Sequence, residues 1–395
     1  LQTLLDRAEI AVSDDPSASA RVVAASAIGQ CYHKDASVPA GLLARADALA
    51  ADIADDDITA DVWMARLITY SGVAEYAASS LDLAERLRAL PHTDQAVDEV
   101  IIDTALTMAT MTLGDVAGTA ALVRTAIVGS ERLRLPILRA QLRWMEASLA
   151  VWHGDFATAK HHFRTAVTVH QMTELYVAGT GTIALLALAA ERGMLDDLAD
   201  TGDHSPMEWA RMIAEDFTDD QVAILLAAGI AMIAGAEGDR DLAERMIVSW
   251  LADDRPMIWT SLCQAVLLAH VVADLELVEH AARFAEYLTP YRSCIATLGQ
   301  LGCIGPVGLA LARVCFLLGR VEEGEAALAA ARDLSEREGG VPSVLRCRLL
   351  AAQRSPRSAR RDAELAEIAD IAGRFEVTQV QASARELLGG TDSPR

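Results

Sequence analysis

The chain has 395 residues, 56 acidic against 34 basic, giving a net charge of −22. That balance opposes binding to bare nucleic acid or to an anionic membrane surface through general electrostatics, so neither is expected as a partner. Hydrophobic residues reach 52% while aromatic ones stop at 5%, a composition that favours closely packed helices over sheet.

Taken in chain order, residues 1–30 read as one or two helices broken near Asp14, Asp15 and Pro16. Residues 40–54 read as helix, and Asp55, Asp56 and Asp57 then mark a turn and bring acid to the start of a helix from about Thr59. A helix-turn-helix frame recurs from there. Its clearest copy is Gly154-Asp155-Phe156 followed by Ala159, Phe163 and Ala166. The same frame fits Gly319 with Val321, Gly324, Leu328 and Ala331, and Gly72 with Ala74, Ala77, Leu81 and Ala84. Gly114 follows more loosely with Val116, Thr119, Val123 and Ala126, and Gly238 with Ala243, Ile247 and Trp250. Each copy reads as a helix end, a tight turn with glycine in the left-handed conformation, and a second helix whose small and large residues alternate on one face and which Asp can cap. Within the first helix of the clearest unit, Leu142, Met145, Leu149 and Trp152 share one face.

The expected turns fall near Gly72, Gly114, Gly154, Gly193, Gly238, Ala273 and Gly319, a spacing of 35–46 residues. A single pair cannot bury its apolar stripe alone, so copies must stack. The expected fold is therefore all-α: a superhelical array of about eight to ten antiparallel helix pairs, a tetratricopeptide-like α-solenoid. Residues 1–195 form the N-terminal half of the array and 207–390 the C-terminal half. The acidic, polar stretch 196–206 is the expected hinge, and 391–395 a disordered tail. A second irregularity, 287–306, is too rich in glycine (Gly299, Gly302, Gly305) for a helix interior and reads as a loop.

The Gly154 copy resembles the second half of a tetratricopeptide repeat. Leu288-Thr-Pro-Tyr-Arg, Gly302-Cys-Ile-Gly-Pro-Val and the run from Gly319 through Arg-Val-Glu-Glu-Gly-Glu-Ala-Ala-Leu resemble the C-terminal helical region of large bacterial multidomain ATPase regulators. That family includes the large ATP-binding LuxR-type activators and ATPase-linked adenylate cyclases. The resemblance implies a sensor or scaffold that binds a protein partner, a linked ATPase or effector domain, or a small-molecule effector. A phosphate-binding Walker A loop needs glycine before lysine, yet His33 precedes Lys34 and Ala159 precedes Lys160, the two lysines of the chain. The ATPase is thus expected elsewhere, and a chain beginning at Leu1 reads as a fragment of something larger.

The constellations that could carry chemistry are sparse. Residues 196–200, Asp-Asp-Leu-Ala-Asp, match a magnesium-diphosphate pattern, but the second metal motif and aromatic pocket of such enzymes are missing. A solvated helix end is the plainer reading, with a magnesium-dependent helical enzyme as the alternative. His161 and His162 lack metal-ligand spacing and read as surface residues. Cys294 and Cys303 flank the glycine-rich stretch but read as packing thiols. The six dispersed cysteines suit a reducing cytoplasm. Arg354, Arg357, Arg360 and Arg361 read as a solvated linker before the acidic residues that follow.

No catalytic residue, metal ligand or cofactor is assigned. The candidate binding residues are Tyr291 and Arg292, a stacking face beside a fixed cation next to the expected loop, with Trp152 and Trp259 as possible anchors of a concave groove. The function expected is non-catalytic recognition, with a free-standing assembly scaffold as the other reading.

Overall fold

The computed structural model describes residues 2–33, 35–172, 180–195, 205–215, 221–252 and 257–389. Among them the chain forms an all-α array. The first run comprises α1 (Gln2–Ala11), α2 (Pro16–Gly29), α3 (Ser37–Ala50), α4 (Asp56–Tyr70), α5 (Ala77–Ala89), α6 (Gln95–Thr112), α7 (Val116–Leu133), α8 (Pro136–His153), α9 (Phe156–Gln171) and α10 (Thr180–Arg192). Next come α11 (Pro206–Glu215), α12 (Gln221–Ala236), α13 (Arg240–Leu251), α14 (Ser261–Asp274) and α15 (Val278–Leu288). Two short strands follow, β1 (Ile295–Thr297) and β2 (Cys303–Pro306). The last helices are α16 (Val307–Leu317), α17 (Val321–Arg337), α18 (Val341–Arg354), α19 (Ala359–Arg374) and α20 (Thr378–Gly389). Most of the expected hinge, the 196–200 acidic cluster and the 391–395 tail lie outside the described residues.

The turn chemistry read from the repeat frame is present at atomic level. Gly114, Gly154, Gly238 and Gly319 all take positive φ at the end of the first helix of a pair. Asp115 then accepts from the Gly118 amide at 2.7 Å, Asp155 from Thr158 at 3.0 Å and Asp239 from Leu242 at 3.1 Å. Each bond satisfies one amide that the first helical turn leaves orphaned. Two departures show that the backbone shape matters more than the residue. Glu276 and Glu376 adopt φ of 52° and 56° and turn α14 into α15 and α19 into α20 without glycine. Gly72 is not in the left-handed region; a 3-10 turn at Ala74–Tyr76 joins α4 to α5 instead.

Most frame positions are packing positions, although Val321 is exposed. Phe156, Ala159, Phe163 and Ala166 are all buried on α9, facing α8, where the Trp144 ring lies 5.8 Å from that of Phe163. The small alanines let the two axes approach while the aromatics fill the space between them. Burial of one such phenylalanine contributes about 1.5–3 kcal/mol.

The later helices of the array pack against the earlier ones. Thr112 Oγ1 meets Thr297 Oγ1 at 2.9 Å, 185 residues on. Trp152 Nε1 donates to the Glu338 carbonyl at 2.9 Å, 186 residues on, and His153 contacts the Gly339 carbonyl at the same separation. Arg192 donates to Glu376 at 2.7 Å, 184 residues on. These contacts set the helices from α14 onward, the second turn of the array, against those up to α10, the first, with Ser148–Gln300 and Glu191–Arg346 joining them at separations of 152 and 155 residues. The second turn therefore stacks directly on the first. Gly193 shows how close they come: a Cβ there would lie 2.4 Å from Gln379 Cβ. One hydrophobic core accordingly draws on both halves of the sequence, from Met111, Trp144 and Phe163 to Leu345, Leu365 and Val380.

The stretch 287–306, expected as a loop, turns inward and forms a buried antiparallel hairpin. Ile295 pairs with Pro306 and Thr297 with Cys303. Residues 295–300 and 302–310 are buried. Gly299 and Gly305 take positive φ, 54° and 63°, and the glycines also allow close approach. Gly302 packs against Ala187 of α10, where a Cβ would come within 2.5 Å, and Gly299 sits beneath the Trp259 ring. Ser148 of α8 donates to the Gln300 carbonyl at 3.0 Å, and Cys303 Sγ reaches the Ser148 carbonyl at 3.4 Å. Helices from both turns thus surround the hairpin, which fills the inside of the superhelix at this level.

Candidate functional site

With the hairpin filling part of the interior, a cavity of about 580 Å³ remains between α10, α12, α14, α16, α18 and α20. That size lies in the range of small-molecule sites. First-turn residues 189–195 face second-turn residues 346–353 and 379–383 across the cavity. Its walls are aliphatic: Met232 from α12, Leu267 and Val271 from α14, Ile304 from the hairpin, Leu309 from α16, Leu349 and Leu350 from α18. No Phe, Tyr or Trp is among the described lining residues; the one ring is the His270 imidazole.

Into this apolar space the chain brings two guanidinium groups, each with a carboxylate. Arg346 of α18 donates to Glu191 Oε2 at 2.6 Å and to the Ala190 and Glu191 carbonyls, also at 2.6 Å. Those carbonyls belong to the last turn of α10, so the cation also caps a helix C-terminus and meets the negative end of its dipole. The pair is deep: the side chains are 17% and 4% exposed. Arg313 of α16 donates to Asp274 Oδ1 at 2.5 Å and to His270 Nδ1 at 3.1 Å. Asp274 is 52% exposed, placing this second pair at the mouth. Gln353 and Gln379 are exposed residues of the same lining.

His270 is held neutral. Burial pulls its imidazole well below the ordinary range, and the Arg313 and Arg346 guanidiniums push the same way. Because Nδ1 accepts from an arginine that cannot give up its charge, the ring proton belongs on Nε2. The ionised groups of the lining are therefore two arginines balanced by one Asp and one Glu, with a neutral imidazole between the cations.

The sequence-derived candidates do not converge on this cavity. Trp152 is 2% exposed at the seam between the turns, where its ring packs on Gly340. Trp259 sits at the other end of the seam, edge-on to Tyr32 with ring centroids 5.1 Å apart. Its Nε1 is buried without a hydrogen-bond partner among the described residues. Tyr291 lies half-buried against Tyr287, and Arg292 is exposed, its backbone amide donating to the Thr289 carbonyl at 3.4 Å. The side chains at Tyr291 and Arg292 precede the hairpin that turns away into the core.

The remaining motifs resolve into packing and surface pairs. Burial raises the thiols of Cys294 and Cys303, and no disulfide forms among the described residues. His162 faces Glu146 at 3.5 Å across the α8–α9 pair. In the arginine run, Arg354 stacks on the Phe316 ring at 3.6 Å and Arg361 donates to the Ala352 carbonyl at 2.8 Å. Glu244, Glu279 and His280 bring their ligand atoms within 4.8 Å of one another between α13 and α15.

Sequence reasoning missed Glu191, His270, Arg313 and Arg346. Each stands singly on a different helix, so no local motif marks them. The one available signal was a charged residue inside an otherwise apolar helical stripe, as for Glu191 after the apolar stretch of α10. No helix among the described residues is long and apolar enough to cross a membrane. No family model and no curated protein matches this sequence.

Proposed function

We propose that this chain is a non-catalytic recognition module, the sensor region of a bacterial signalling or transcriptional regulator, and that the cavity at the seam takes a small effector. The observation that carries the reading is the cavity of about 580 Å³, whose lining joins both superhelical turns. A ligand seated there touches α10 of the first turn and α18 and α20 of the second. It therefore favours arrangements in which the turns are closely stacked, and it shifts the population toward them without any chemical step. The resemblance of 288–328 to the helical region of large ATPase regulators supports a linked ATPase or effector domain as the recipient of that shift.

The test is a thermal-shift screen of the chain against a metabolite library, repeated on Met232→Trp, which fills the cavity from α12. The expected result is a stabilising compound whose effect vanishes in the tryptophan variant. If no compound moves the wild-type transition while a protein partner binds stably, the chain acts as an assembly scaffold and the effector reading fails.

A further inference from the structure

We infer that the effector is a small organic anion with an aliphatic body, whose carboxylate is received by Arg313 in place of Asp274. The inference rests on the reading of the cavity as an effector site and narrows it to a ligand class.

The two arginines differ in how firmly they are held. Arg346 has three bonds of 2.6 Å to a carboxylate 4% exposed and to two carbonyls of a helix end, so removing any partner leaves buried polar groups orphaned. Arg313 is held by both oxygens of Asp274, at 2.5 Å and 3.4 Å, but that side chain is 52% exposed and can return to water. The pair is only partly exposed, Arg313 at 25%, so an incoming carboxylate must reproduce both contacts for its exchange with Asp274 to balance before the ligand's remaining contacts are counted. The planar guanidinium fork suits a carboxylate in two-point contact.

His270 completes the receptor without adding charge. With Nδ1 accepting from Arg313, its Nε2–H is a neutral donor beside the same cation. The remaining described lining holds no Phe, Tyr or Trp, and its apolar side chains reward aliphatic surface. Leu267, Leu309 and Leu350 provide the apolar bed for the body of the molecule.

Calorimetric titration with octanoate, octanol and inorganic phosphate tests the class. Octanoate should bind saturably, with octanol and phosphate each at least about tenfold weaker, since each tenfold step corresponds to about 1.4 kcal/mol of binding energy. Arg313→Gln should lose octanoate binding. Asp274→Asn should tighten it several-fold, because the competing carboxylate is gone, an effect that a merely structural role for Asp274 would not produce. Octanol binding as tightly as octanoate, or Asp274→Asn weakening the anion, overturns the inference. If Arg313→Gln fails to fold, the octanol comparison and the Asp274 variant still decide. Silence from octanoate together with a cavity-dependent hit in the metabolite screen rejects the ligand class alone. Octanoate binding that survives Met232→Trp shows that the anion sits elsewhere and also overturns it.

Discussion

Arg346→Met is the perturbation on which the seam stands or falls. The substitution keeps the length of the side chain and removes its charge and its three hydrogen bonds, each 2.6 Å long. What remains is the Glu191 carboxylate, 4% exposed, without its cation. The Ala190 and Glu191 carbonyls also lose their shared donor at the end of α10. Breaking a buried pair by removing one partner costs about 3–5 kcal/mol, most of it the uncompensated charge left behind. The double variant Arg346→Met with Glu191→Leu removes both charges and fills the space with aliphatic atoms, so it should recover most of that loss. Urea denaturation followed by circular dichroism gives the free energies. Hydrogen exchange locates the effect, with protection lost in α10 and α18 ahead of α2 and α3, since a repeat array opens in parts. A single variant within about 1 kcal/mol of wild type, or single variants whose costs simply add in the double, would refute the argument that this pair is buried and joins the turns.

Two further outcomes follow from the same geometry. Gly193→Ala should destabilise more than Gly238→Ala in urea melts. Both positions have positive φ and share the left-handed cost of about 1–2 kcal/mol, but only Gly193 would push a Cβ into Gln379, whereas Gly238 has open space around it. Equal losses would mean that the turns are not in contact there. The second concerns pH. His270 has a folded pKa below its unfolded value of 6.5, so the unfolded chain binds the extra proton first. Its contribution is fully present above about pH 6.5 and is lost as pH falls from there toward the folded value. His270→Asn should flatten the decline in melting temperature between about pH 6.5 and 5; an unchanged slope would show that this imidazole is not held neutral.

What the chain's local chemistry determined by itself is the repeating unit. Gly154, Asp155, Phe156, Ala159, Phe163 and Ala166 encode a turn, a cap and a packing stripe within a single short window, and every part of that reading depends on residues close in sequence. Turn geometry and helical periodicity are short-range physics, which is why the array of paired helices is legible without coordinates. Stacking then follows, because no pair can bury its own stripe.

Only the tertiary structure decided what the array encloses. The offset of 184–186 residues between contacting units sums small rotations over many helices, and no window of sequence contains that sum. The same long-range packing brings Glu191 to Arg346, 155 residues on, and closes the seam over Trp152. It also leaves the glycines of 299–305 needed for close approach inside the superhelix rather than for a surface loop. Arg313, His270 and Asp274 come from two helices whose stripes look like ordinary core. Their meeting is a consequence of superhelical pitch, a long-range quantity to which no local pattern of hydrophobic and charged residues is sensitive.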